Sequence, residues 1–155
     1  MKLRLIGNRF LMTGALVTGT LLTGAPLAGP LLAQDQPPEV IYLFADLSGS
    51  NVTAGGDQDG YGDFAASVKL TENQFCYELS AGEIGEPTAA HIHSGEAGVD
   101  GGPVITLTAL SGGGETCVAA DGKLLKKIAN QPGDYYVNVH TADFPAGAIR
   151  GQLQA

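Results

Sequence analysis

At 155 residues with a formal net charge of −8 and a sequence pI of about 4.6, the chain is a poor nucleic-acid partner, because its field repels phosphates. Its length suits one ordinary domain of about 100–200 residues behind a short leader. Two cysteines, Cys76 and Cys117, allow one intramolecular pairing only.

Lys2, Arg4 and Arg9 precede an uncharged stretch from Phe10 to Ala33, the layout of a secretory signal peptide cut between Ala28 and Gln34. A retained membrane helix is the alternative, since the stretch is long enough to span a bilayer. Five glycines or prolines between Gly19 and Pro30 speak against it. The expected organisation is a signal peptide over 1–33, an extended linker over 34–39 containing Gln36-Pro37-Pro38, and one domain over 40–155. Residues 1–33 hold three of the eight Lys and Arg and none of the sixteen Asp and Glu, so the chain beyond them carries −11. That predicts a secreted protein, or one of the periplasm or cell envelope, with no membrane contact once the leader is removed. Its acidic surface serves solubility or an extracellular or envelope partner of unknown identity. In an exported chain Cys76 and Cys117 are expected to form a disulfide.

Val40 to Ala45 is apolar throughout and reads as a first strand, heavily covered on both faces. Gly55 to Asp63 is a loop carrying Asp57, Asp59 and Asp63. Tested against a calcium-binding loop it has Tyr61 and Val68 where ligands belong, so a turn built from Asp and Gly is the better reading. Phe64, Ala66, Val68 and Leu70 alternate with Ser67 and Lys69. Phe75, Tyr77 and Leu79 repeat the pattern after the short link Thr71-Glu72-Asn73, so the two runs form an antiparallel hairpin. Ala89 to His93 is extended, which aims His91 and His93 at one side and Ala90 and Ile92 at the other.

Ser94 to Pro103, with four glycines, turns the chain into a strand from Val104 to Leu110, and a glycine-rich loop from Ser111 to Glu115 follows. Ala119 to Asn130 is a helix capped by Asp121, with Leu124, Leu125 and Ile128 on one face and Pro132 beyond its end. Tyr135 to Thr141 places Tyr136, Asn138 and His140 on one face and Tyr135, Val137 and Val139 on the other. In a last strand Ile149 and Leu153 oppose Arg150 and Gln152. The whole predicts an all-β fold, an antiparallel, Greek-key-like β-sandwich of about seven strands with one short helix.

Ala89-Ala90-His91-Ile92-His93, Gly102-Pro103-Val104, Tyr136-Val137-Asn138-Val139-His140-Thr141 and Phe144-Pro145-Ala146-Gly147-Ala148-Ile149-Arg150-Gly151-Gln152-Leu153 together resemble the CHRD (chordin-type) domain in its exported bacterial variety. The resemblance runs from about Val40 to Leu153 and implies an extracellular β-sandwich without a known reaction. Where many members carry Glu-Val-Pro-Pro, this chain has Asn51-Val52-Thr53-Ala54.

The absence of a metalloprotease helix motif, phosphate loop, nucleophile elbow or spare thiol favours a noncatalytic binding or structural module. In that reading His91, His93 and His140 bond to one another, to Asn138, Arg150 or loop carbonyls, and fix the turn 94–103. The alternative is a copper or zinc site made by His91, His93 and His140, whose three imidazoles leave a fourth position open. A dismutase-type copper site needs a further histidine, and the chain has three. A hydrolytic set of Ser94, a histidine and Glu96 is disfavoured, because His93 adjoins Ser94 in sequence.

Overall fold

The computed structural model describes residues 40–108 and 114–155. The expected leader, the linker, the end of the expected strand at 109–110 and residues 111–113 of the glycine loop lie outside the described residues.

Among the described residues eight strands form one antiparallel sheet: β1 (Val40–Ser48), β2 (Tyr61–Lys69), β3 (Gln74–Gly82), β4 (Pro87–Ser94), β5 (Pro103–Leu107), β6 (Thr116–Ala119), β7 (Tyr135–Thr141) and β8 (Ile149–Gln152). Their spatial order is β5-β4-β7-β8-β1-β2-β3-β6. A single apolar core takes Ile92 and Ile105 from one end of that order and Phe64, Phe75 and Tyr77 from the other. The sheet therefore curls over itself as a nearly closed barrel or sandwich. Helix α1 (Gly122–Asn130) adds Leu125 and Ile128 to the core.

The strand count of seven is corrected to eight. The missed element, β6, has four residues, too few to show an alternation, and is recognisable by its register: Cys117 lies directly opposite Cys76 on β3. The two cysteines are joined in a disulfide, as expected. β5 is described as Pro103–Leu107. The expectation that β1 is covered on both faces is also corrected. Leu43, Ala45 and Leu47 are buried, but Tyr42 and Phe44 are 63% and 54% exposed, because no second layer among the described residues covers the outer side there. Helix α1 starts three residues later than predicted, since Ala119 belongs to β6. Asp121 is the cap, accepting from the backbone N–H groups of Lys123 and Leu124.

The hairpin of β2 and β3 forms in the expected register, with Phe64 opposite Leu79. Ser67, expected outside, points away from the core yet is buried; its hydroxyl donates to Glu115 Oε1 at 3.4 Å beside the disulfide strand. Lys69 also approaches Glu115, at 3.9 Å.

What positions the histidines is the pairing of β4 with β7. That register sets His91 opposite Asn138, His93 opposite Tyr136 and Ala89 opposite His140. β8 continues it, with Arg150 opposite Asn138 and Gln152 opposite Tyr136. Because Ala90, Ile92, Val137, Val139 and Ile149 point into the core, the alternation of a strand sends all the polar partners to the other side.

Removing the cystine by Cys76→Ala/Cys117→Ala frees a loop of sequence separation 41 in the unfolded chain. The double variant is expected to lose about 2–4 kcal/mol of stability, read as a lower urea midpoint.

Candidate metal centre

On the outer side of β4, β7 and β8, the loop 94–103 folds back over the polar side chains. Gly95, at φ 149°, permits the turn, since an added Cβ would run into the carbonyl oxygen of Val99. Arg150, only 3% exposed, holds the loop down. Its Nη1 donates to Asp100 Oδ1 at 2.9 Å, and its Nη2 donates to the carbonyls of Glu96 and Val99 at 3.0 and 2.8 Å. The guanidinium carbon lies 3.5 Å from the centre of the Tyr136 ring, a cation–π contact. Thr53 donates a hydroxyl hydrogen to the same Asp100 carboxylate, at 2.6 Å to Oδ1.

The secured loop presents Gly101, and the His93 Nδ1 lies 2.8 Å from its carbonyl oxygen. A carbonyl only accepts, so Nδ1 carries the proton and Nε2 the lone pair. That Nε2 is buried and has no hydrogen-bond partner. His140 is fixed the same way: its Nδ1 lies 3.0 Å from the carbonyl oxygen of Pro145, leaving its Nε2 as an acceptor. The His140 Nε2 is 3.3 Å from His91 Nδ1. Two nitrogens each about 2.0–2.1 Å from one tetrahedral ion stand about 3.3 Å apart, so the spacing suits a shared ion as well as a hydrogen bond. One nitrogen from each of the three rings lies within 4.8 Å of the others.

Both His91 and His140 are held below the ordinary imidazole range. For His91 the main cause is burial, aided by the neighbouring His140 and His93. For His140 burial again leads; the bond to Pro145 opposes it and the proximity of His93 adds to it. Neutral imidazoles are the form that ligates metals.

The structure brings together His91, His93 and His140, with Asn138 and Arg150 beside them. Neither Asn138 nor Arg150 bonds to an imidazole as expected: Asn138 Nδ2 donates to the carbonyl of Ala146 at 3.1 Å, and Arg150 is engaged by the loop. The carboxamide oxygen of Asn138 is buried and has no hydrogen-bond partner. Asp57, Asp59 and Asp63 form no ligand cluster among the described residues. Cys76, Glu115 and Cys117 do lie together, but both sulfurs are spent in the disulfide and supply no thiolate. The Ser94 set is not assembled around His93, whose Nδ1 is turned to Gly101. Asp100 and the carbonyls of Gly101 and Pro145 were not singled out in the sequence. Asp100 had only its place in a glycine turn to mark it, and a backbone carbonyl has no residue code at all.

Of the comparisons with known proteins, a family model does match: that of the CHRD domain, over residues 43–153. No curated protein and no solved structure matches.

Two outcomes test this geometry. Arg150→Met removes three charge-assisted bonds to the loop, and thermal or urea denaturation should read a loss of about 2–4 kcal/mol. In metal-free protein, a histidine whose folded pKa is lowered binds fewer protons than its unfolded form. Its contribution is then complete above the ordinary value of 6.5 and declines as pH falls toward the lowered pKa. The urea midpoint should drop between pH 7.5 and pH 5, and less so in His91→Asn/His140→Gln.

Proposed function

The chain belongs to the CHRD-domain family, and from that premise we propose that it is an exported, noncatalytic binding module whose ligand is one copper or zinc ion, held by His91, His93 and His140. The observation that carries the reading is the buried, unpartnered Nε2 of His93. A buried acceptor left unpaired costs about 1–3 kcal/mol, and an ion at that nitrogen removes the cost. The carbonyls of Gly101 and Pro145 act as outer partners that fix tautomer and ring direction, the arrangement metal-ligating histidines commonly have. Three nitrogen ligands suit either ion, and copper(II) binds such sites more tightly than zinc. Arg150 has a positioning role, through the loop it holds; Asn138 lies beside the imidazoles and bonds to the carbonyl of Ala146.

Export is supported by the charge layout of residues 1–33 and by a cystine, which persists in oxidising compartments. On this reading the organisation is a leader over 1–33, a linker over 34–39 and the domain over 40–155, of the exported bacterial variety. The secreted or envelope protein meets a partner there that is not nucleic acid. Among the described residues no helix is long and apolar enough to cross a membrane. The jumps in strand order from β4 to β7 and from β3 to β6 support a Greek-key-like description of the sheet.

Protein purified without chelator and incubated with copper(II) or zinc(II), then desalted, should retain about one equivalent by elemental analysis. Its melting temperature should rise, since an ion at a hundred times its Kd adds about 2.7 kcal/mol. His140→Ala should abolish both effects. Retention below about a tenth of an equivalent would refute the site.

A further inference from the structure

The outer face of β1, β2 and β3 carries side chains unlike those of a merely solvated sheet. The register puts Phe44, Ala65 and Glu78 in one cross-strand row and Asp46, Asp63 and Ser80 in the next. All six point outward, because Leu43, Ala45, Phe64, Ala66, Tyr77 and Leu79 between them belong to the core. Ala65 is the small member between a phenyl ring and a carboxylate, so its row is low in the middle. A cavity of about 360 Å³ lies there, with Phe44, Asp46, Asp63, Ala65 and Glu78 in its lining. A second, of about 140 Å³, shares Phe44, Ala65 and Glu78 with the first and extends to Tyr42, Ser67 and Glu115. Together they make one trough along β2, with the aromatic side chains of β1 on one flank and Glu78 of β3 on the other.

The charge of this trough is uncompensated. Lys69 is the only basic residue in β1, β2, β3 or β6, and it lies 3.9 Å from Glu115. Asp46, Asp63 and Glu78 have no ion-pair partner among the described residues, although Asp46 stands directly opposite Asp63, where like charges repel. Ser80 donates its hydroxyl hydrogen to Asp63 Oδ2 at 3.3 Å, which leaves that charge in place. Beside the carboxylates, Tyr42 and Phe44 are 63% and 54% exposed. Phe44 and Glu78 stand two strand spacings apart, about 10 Å, so a flat cation between them meets a ring on one side and carboxylate oxygens on the other. A bare metal ion does not fill that gap, and among the described residues no third ligand joins the Asp46 and Asp63 pair. A guanidinium suits it better than an ammonium, because it is planar, stacks on rings and presents a fork of donors to a carboxylate.

We propose that the trough docks an extended segment of a partner protein bearing arginines at alternate positions, one between Phe44 and Glu78 and the next at Asp46 and Asp63. The two rows lie two residues apart along the strands, about 7 Å, which is also the spacing of alternate side chains in an extended chain. Complementary charge is what selects the occupant: three free carboxylates repel an acidic segment and would be desolvated without return by an apolar one. The inference does not depend on the metal reading, since none of these residues belongs to β4, β7 or β8.

The peptide Gly-Arg-Gly-Arg-Gly with both ends blocked, titrated into the full chain at low ionic strength, tests it. Amide chemical shifts in nitrogen-15 spectra give both the affinity and the place of binding, and the shifts should gather on Phe44, Asp63, Ala65 and Glu78. A peptide with citrulline for each arginine keeps the shape and loses the charge, and should bind about tenfold or more weakly, as two ion pairs and a ring contact are lost. Phe44→Ala and Glu78→Gln should each weaken the arginine peptide about twofold to fivefold. Glu78→Gln, an exposed isosteric change, serves alone if Phe44→Ala does not fold. The control Glu72→Gln/Asp143→Asn removes two exposed acids outside the trough and should leave the affinity nearly unchanged. An equal loss in that control and in Glu78→Gln would mean attraction to net charge only and overturns the proposal. Shifts absent from the trough, or citrulline and arginine peptides that bind alike, overturn it too. Agmatine, a single guanidinium on a short alkyl amine, binding as tightly as the peptide would make the trough a small-cation site and overturn the extended segment. His140→Ala should bind the peptide as wild type does, which keeps this result separate from that of the metal site.

Discussion

The outer face of β4, β7 and β8 depends on one buried cation. Arg150 is nearly inaccessible, while the Asp100 carboxylate that pairs with it is 68% exposed at its side chain. The pair therefore does not strand two charges in the interior: one end remains hydrated, and two backbone carbonyls and an aromatic face complete the other. A buried arginine without those partners would be strongly destabilising. With them it becomes a fastener that joins the last strand to the loop 94–103. The consequence passes along covalent structure. The loop carries Gly101, the Gly101 carbonyl fixes the proton of His93 on Nδ1, and the lone pair of Nε2 is thereby directed inward. A residue whose hydrogen bonds go to the loop and not to an imidazole thus decides the tautomer of one.

Much of this was readable from strand alternation. A period of two placed His91 with His93, and Tyr136 with Asn138 and His140, and the register of β4 on β7 then made the two sets adjacent. The Asp121 cap and the cystine were likewise local or combinatorial facts. What escaped was anything whose signal is supplied by another part of the chain. β6 has too few residues for a pattern and is a strand because β3 accepts it. Tyr42 and Phe44 look like core residues by type, but whether a face is covered is a property of the layer above it, and among the described residues β1 has none on that side. Ser67 shows the reverse, a hydroxyl on the outer side that is buried because Glu115 and the disulfide strand lie over it.

The functional side chains divide along the same line. Histidines announce themselves by their scarcity, three in the chain, and by their spacing. The groups that determine which of their nitrogens is available are backbone carbonyls at Gly101 and Pro145, and those depend on where two loops come to rest. Ligand identity was therefore legible, while ligand readiness was not.

The centre also shows why a purely structural role leaves something unexplained. Three imidazoles that served only to pack the roof would be satisfied by one another and by the loops, as His140 is by Pro145. Instead, two atoms of different chemistry, a ring nitrogen and an amide oxygen, are both buried and both unpaired. Burial lowers the affinity of His91 and His140 for protons and so favours the neutral form that coordinates. The unpaired ring nitrogen of His93 and the lowered proton affinity of His91 and His140 are both features that a cation on the ring nitrogens would use.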